Sequence, residues 1–394
     1  MSTSSPKSLS ADSDQVGAGA HASLAPTLRG VLVVGSGLIG TSIALDATAA
    51  GIAVLLEDAD PDAVGMATAL GAGQPYATAS LEQRACVDLI VLAVPVRVIA
   101  AFVQRYGDLH LNASITDVGS VKSQTLVEAE LAAPLLARWC PGHPMAGRER
   151  SGAAAAQPGL FRGRPWILTP TPATSALALE RAARLVTVCG ASVMQRGPTE
   201  HDRAVATVSH TPQLVASALA ASLLRADPDD VVLAGQGLRD TTRLADSDPA
   251  LWLGILELNA EQVQQSLVRV QEVLSLASRA LGELRSDDPD VAQQARAALL
   301  GVLRSGNEGR TRIPGKHGDR VNKFDVIAIV VADRSGELGR VFSSCADAQI
   351  NVEDLRMEHS QGHPAGIVEI SVAAGTGVHV ASALKALGWT TTLL

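Results

Sequence analysis

The run CPGHPMAGRERSG, Cys140–Gly152, holds a histidine between a glycine and a proline. An imidazole titrates near neutral pH, so His143 is a residue type suited to moving a proton. Its backbone is constrained: the proline that follows disfavours helical geometry at His143, while Gly142 and Gly147 free the chain on either side. Arg148, Glu149 and Arg150 come directly after. The stretch is too broken for a helix and too polar for a buried strand, so it reads as a loop.

More polar chemistry lies elsewhere. TDVGSVKSQ puts Asp117, Gly119, Ser120 and Lys122 after an apolar run; Ser120 also reads as the N-cap of the next helix. EHDRAVATVSHTPQLV carries His201 with Asp202 beside it, then His210 with Gln213 three residues on. No acid-and-histidine set at i, i+4 supports a metal pair, and no metal is expected. Taken singly, each of these histidines reads as a hydrogen-bonded structural residue. GQGLRDTTRLADSDP offers Arg239 and Arg243 in a glycine-containing loop. A guanidinium fork suits a carboxylate, and the competing reading is a surface salt bridge.

A glycine turn opens the chain's organised part. Gly35, Gly37 and Gly40 match G-x-G-x-x-G inside GVLVVGSGLIGTSIALDATAAG, between an apolar strand and a helix. The first glycine allows the turn, the second lets backbone approach a pyrophosphate, and the third lets helix and strand pack closely. Leu38 and Ile39 complete the turn, and amides at the helix start face the phosphates. Asp58, 18 residues past Gly40, ends the second strand. An acid there bonds the adenosine ribose hydroxyls and disfavours a 2′-phosphate, which selects NAD over NADP. Glu57 competes for this role. Val94 and Pro95, at the end of VDLIVLAVPV, join the same cofactor set.

These residues need a frame. Continuous apolar strands alternating with helices imply a parallel sheet covered on both faces, a Rossmann-type α/β domain over 29–199. RPWILTP and ASVMQ read as later strands of that sheet. Ligands in such sheets bind outside the carboxyl ends of the strands, which is where the segments around Ser120 and His143 arrive. Residues 200–303 read as all-α. Apolar residues step by three and four from Leu253 to Leu284, after Asp248 as N-cap and Pro249 at the first position. One helix of over thirty residues with that seam packs either in an intrachain bundle or across a subunit interface. Residues 304–323 read as a basic linker and 324–394 as a small α+β unit, βαββαβ. Residues 1–28 read as a disordered tail.

The totals agree. A chain of 394 residues suggests two or three domains. With net charge −8 and only four Trp, two Tyr and four Phe, it is not expected to bind nucleic acid. No apolar run is long enough for a bilayer, so no membrane partner is expected. Four widely spaced cysteines fit a reducing cytoplasm.

Five stretches in order, VVGSGLIGTSIA, TDVGSVKS, GHPMAGRERSG, HDRAVATVSHTPQ and TTRLADSDPALW, resemble the prephenate/arogenate dehydrogenases of tyrosine biosynthesis over about Arg29–Leu303. The resemblance implies an NAD enzyme that oxidises a cyclohexadienol, which then loses CO2 and becomes aromatic. By the same resemblance His143 deprotonates the ring hydroxyl and Ser120 orients both. Arg243 binds a substrate carboxylate, His210 lines the site, and Glu149 joins a polar network at its entrance. It implies a homodimer through the helical domain. Gln213 stands where several members carry a second histidine, which bears on prephenate against arogenate. VADRSGELGRVFSSCADAQINVEDL resembles an ACT regulatory domain, with Asp333, Gly336, Leu338 and Asn351 matching and Ser335 in place of a proline. That resemblance implies a tyrosine effector. The competing readings are another β-hydroxyacid-type dehydrogenase and a non-catalytic NAD and amino-acid sensor.

Overall fold

The computed structural model describes residues 28–128, 133–146, 152–313, 324–359 and 365–394. They fall into two compact units. The first runs to Ala221 and includes Leu244–Ser266; the second comprises Ser222–Arg243 and Leu267–Leu394.

The first unit is built on five parallel strands, β1 (Gly30–Val34), β2 (Ala53–Glu57), β3 (Gln74–Pro75), β4 (Val87–Leu92) and β5 (Ser114–Asp117), in the order β3-β2-β1-β4-β5. Strands β1 and β4 are buried along their whole length, which is why β1 and the Leu89–Leu92 part of β4 read as unbroken apolar runs. Val31, Val33, Leu89 and Val91 pack on one face with Ile43 of the helix Leu38–Ala49. Leu32, Val34, Ile90 and Leu92 pack on the other with Ile99 and Val103 of the helix Ile99–Leu109. The strand order reverses between β1 and β4, and such a switch point opens a crevice at the carboxyl ends.

Three further strands, β6 (Gly142–Pro144), β7 (Pro165–Leu168) and β8 (Ser192–Gln195), form a separate sheet in the order β6-β7-β8. This corrects the expectation that β7 and β8 extend the first sheet. An isolated parallel bridge between Ile115 and Trp139 links this segment to β5. The chain then pairs β6 antiparallel to β7, with β8 parallel on the far side. Pro144 has no N–H to offer a longer ladder. The expected loop at His143 is therefore a short strand. Gly142 is extended and tightly packed there: a Cβ would meet Asp117 O and Trp166 Nε1 at 3.0 Å.

The helix expected from Pro249 onward is two helices, Pro249–Leu258 and Ala260–Glu283, broken at Asn259 (φ −121°, ψ 24°). Asp248 is the N-cap, accepting a bond from the Ala250 amide at 2.9 Å. The helix Pro289–Thr311 runs into the segment read as a linker, whose residues 314–323 lie outside those described.

In the second unit, β9 (Asp325–Ala332), β10 (Asp354–His359), β11 (Ala365–Val372) and β12 (Thr390–Leu393) form an antiparallel sheet, β10-β11-β9-β12. Helices Glu337–Asp347 and Gly377–Ala386 complete the expected βαββαβ order. Ile327, Ile329, Val331, Val368 and Ile370 alternate inward against Val341 and Leu384.

Candidate active site

The glycine turn sits at the switch point. Gly35 has φ +101°, and any Cβ on it would collide with the carbonyl of Ala93, just beyond β4. Ala93 N in turn donates to Val34 O at 2.7 Å, so the ends of β1 and β4 are locked together beside Val94 and Pro95. A Cβ on Gly40 would collide with Gly35 O, whereas Gly37 has nothing within 4 Å. Gly37 caps the helix that begins at Leu38 and Ile39 and supplies no side chain to its amides. An open glycine beside unpaired helix-start amides fits a pyrophosphate.

Of the two acids at the end of β2, Asp58 faces the turn. Its Oδ2 accepts the Ser36 amide at 2.6 Å and its Oδ1 the Asp60 amide at 2.9 Å. Glu57 lies 3.7 Å from Arg105 and close to the buried Tyr106 phenol, whose pKa is raised by burial first and by Glu57 next. Glu57 is thus engaged elsewhere. Asp58→Ala is expected to weaken NAD binding about tenfold or more, the worth of a charged hydrogen bond, and to relax discrimination against NADP. Titration of both cofactors measures this; unchanged NAD affinity would sink the assignment.

At the end of β5 a buried ion pair anchors the next turn. Lys122 Nζ bonds Asp117 Oδ1, and both side chains are essentially inaccessible. Asp117 also accepts from the Gly119 amide (2.9 Å) and from Trp139 Nε1 (3.1 Å). So many donors compensate the desolvation of a buried carboxylate.

Beside this turn the structure joins residues far apart in the chain. His143 Nδ1 lies 2.9 Å from His201 Nε2, with the rings edge to face. His201 Nδ1 lies 2.8 Å from Asp202 Oδ1. Asp202 also accepts the Lys122 amide at 2.9 Å and the Ser123 amide at 2.7 Å. Burial alone would raise the Asp202 carboxyl, but these bonds, led by the one from His201, hold it below its ordinary value. Burial pushes the His143 imidazole well below its ordinary value, and His201, Lys122 and His210 push the same way. His143 is therefore neutral at pH 7. Burial also takes the neighbouring Cys140 thiol up to about 12, which removes thiolate chemistry there.

His210 ends a π-helical turn, Ala206–His210, between the helices Pro198–Val205 and Thr211–Ser222. Pro212 lacks an N–H, and its ring crowds the carbonyl four residues back, so the tighter α spacing is disfavoured at this junction. His210 is buried, which lowers its pKa to about 4. Asn259 Nδ2 donates to Asp202 O at 2.9 Å and lies 3.1 Å from His210 Nδ1, so the helix break at Asn259 ties His210 to the same network. Trp252 packs edge-on to His210 at 5.9 Å. Gln213, also buried, bonds Ser247 at 2.7 Å.

The expected residues thus separate into three groups. His143, His210, Gln213 and the turn carrying Ser120 belong to the first unit. The resemblance sets Ser120 beside His143; the hydrogen bond of the His143 Nδ1 atom goes to His201. Arg243 lies exposed in the second unit, opening the 3-10 turn Arg243–Ala245. Glu149, with Arg148 and Arg150, lies outside the described residues. In the second unit Asp333 and Leu338 are exposed near Gly336, which caps the helix Glu337–Asp347, and Asn351 bonds Glu353 at 2.6 Å. Sequence reasoning missed Asn259 and the pairing of His201 with His143. Asp202 beside His201 was the only signal available for the latter. Among the described residues no group of His, Cys, Asp and Glu could hold a metal, and no helix is long and apolar enough to cross a membrane.

Comparison with known proteins adds an independent line. A family model described as prephenate dehydrogenase, nucleotide-binding domain, matches residues 43–195. A second, prephenate dehydrogenase, dimerization domain, matches 197–290. A Streptomyces niveus protein named "Probable prephenate dehydrogenase NovF" is 32% identical over 364 residues, covering 92% of this chain and 99% of that protein. The crystal structure of prephenate dehydrogenase from A. aeolicus, in complex with hydroxyphenyl propionate and NAD+, superposes with TM-score 0.62 at 29% identity, covering 73% of this chain and 99% of that one. Synechocystis arogenate dehydrogenase does so with TM-score 0.60 at 26% identity, covering 72% and 99%.

Proposed function

This chain belongs to the prephenate dehydrogenase family, and on that premise we propose that it catalyses the NAD-dependent oxidative decarboxylation of prephenate to 4-hydroxyphenylpyruvate. One observation carries the reading: a neutral, half-buried imidazole, His143, stands beside the carboxyl end of β5, on the sheet whose β1 bears the dinucleotide turn. Bound NAD+ supplies a hydride acceptor at its nicotinamide. Gly35, Gly37, Leu38, Ile39 and Gly40 hold its pyrophosphate and Asp58 its ribose. His143 takes the proton of the ring hydroxyl, which makes departure of the hydride easier. Ser120 bonds that hydroxyl, and Arg243 holds a substrate carboxylate. His210, being neutral, serves as a hydrogen-bond partner rather than a cation, and Glu149 borders the entrance. Loss of CO2 needs no further base because aromatisation drives it.

Arogenate, with an amino group in place of the keto group, is the second reading. Gln213 favours keeping it, since a buried amide in engagement with Ser247 brings no charge to select a keto acid. NADH formation with each substrate in turn tests both. Turnover of prephenate in preference to arogenate is expected; the reverse order selects the second reading, and turnover of neither by folded protein removes both.

A homodimer through the helical region is supported by Leu274 and Leu281, which belong to the three-four seam yet are 61% and 60% exposed. Tyrosine is proposed as an effector of the βαββαβ unit, so millimolar tyrosine is expected to lower turnover or raise thermal stability; neither change would remove that role. The four cysteines are free thiols, which suits a reducing cytoplasm.

A further inference from the structure

We infer that His201 and Asp202 are positioning residues that set the tautomer of His143, leaving the free electron pair on its Nε2. Asp202 fixes the direction of these bonds. Two of its partners are the backbone amides of Lys122 and Ser123, which can only donate. A carboxylate among fixed donors is ionised and accepts from all of them. Another partner, His201 Nδ1 at 2.8 Å, must then bear hydrogen, because a lone pair there would face a lone pair. The His201 tautomer that pairs with Asp202 through Nδ1–H has its lone pair on Nε2. That atom lies 2.9 Å from His143 Nδ1, so the hydrogen between the rings belongs to His143. Neutral His143 carries one N–H, and Nε2 is left as the acceptor.

This assignment rests on His143 as the base and specifies how it works. As the substrate hydroxyl gives up its proton, the O–H bond breaks and an N–H bond forms at His143 Nε2. The electron pair of the O–H bond remains on oxygen and becomes part of the new carbonyl as the hydride leaves for the nicotinamide. The imidazolium that results keeps its Nδ1–H bond to His201, and a shift of that proton would place the charge against Asp202. His201 is fully buried, so water does not compete for this chain of bonds. The reverse arrangement, with His201 donating from Nε2, would put hydrogen on Nε2 of His143 and leave no base. Asn259 reinforces the geometry by bonding the Asp202 carbonyl.

The nitrogen chemical shifts of histidines labelled in the full-length protein, read near neutral pH, report which ring nitrogen is protonated. His143 and His201 are both expected to carry hydrogen on Nδ1. Hydrogen on Nε2 of His143 overturns the assignment, and this arm needs no variant and no substrate. His201→Phe keeps a ring but removes the acceptor. It is expected to move the His143 proton to Nε2 and to lower kcat by ~10²-fold, with KM changed by less than about threefold. His201→Gln, whose carbonyl can still accept, is expected to recover part of that loss. Unchanged kcat in a folded His201→Phe protein would also overturn the role; if that variant fails to fold, the wild-type spectrum decides alone. Absence of turnover with either substrate would instead count against the proposed reaction, and the spectrum separates the two failures.

Discussion

His143→Asn is expected to lower kcat by ~10²-fold or more while leaving KM nearly unchanged. Asparagine keeps a hydrogen-bonding group of similar reach but cannot accept a proton at any working pH. The loss therefore falls on the step in which the hydroxyl is deprotonated, and substrate anchored elsewhere still binds. The pH profile of the wild type carries the same signature. Because burial depresses the His143 pKa, its basic form survives as the pH falls past the ordinary imidazole value and is lost only below it. The acidic limb of kcat is accordingly expected below pH ~6.5. Steady-state rates from pH 5 to 8 for both proteins check this. A limb centred above the ordinary imidazole value would contradict the burial argument, and near-normal turnover by the variant would reject His143 as the base.

Gly40→Ala is expected to destabilise the first unit by about 3 kcal/mol and to abolish measurable NAD binding. The added methyl would fall on the carbonyl of Gly35 and within 3.0 Å of Ala93 Cβ, so the helix Leu38–Ala49 would have to lift from β1 and β4. The backbone leaves no flexible side chain to yield. Gly37→Ala is the informative contrast. Its methyl meets nothing within 4 Å, and φ is −80°, so the fold is expected to melt as the wild type does. Weaker NAD binding with an unchanged melting temperature would place the cofactor against Gly37. Thermal denaturation beside NAD titration resolves the two cases; a stable Gly40→Ala protein that binds NAD normally would contradict the packing argument.

Much of this protein was legible in local patterns. The parallel sheet announced itself because strands buried on both faces are apolar along most of their length. The glycine turn was legible because its steric demands act within one strand, one turn and one helix. Asp248 and Pro249 marked a helix start for the same local reason. The break at Asn259 was not legible. The apolar three-four rhythm passes through it undisturbed, and the reason for the break is a side chain bonded to Asp202 O and beside His210.

The residue types by themselves determined that this chain has a dinucleotide turn, a histidine of proton-transfer chemistry and an acid at the end of β2. They did not determine which acid faces the turn, since Asp58 and Glu57 are adjacent and differ only in the side of the strand they take. Nor did they determine what holds His143. His201 is 58 positions away, and Asp202 reaches its charge balance through amides of a turn some eighty positions back. Local sequence encodes propensity and steric permission over a few residues. The protonation state and tautomer of a buried imidazole depend on desolvation and on hydrogen-bond partners that only the folded chain brings together.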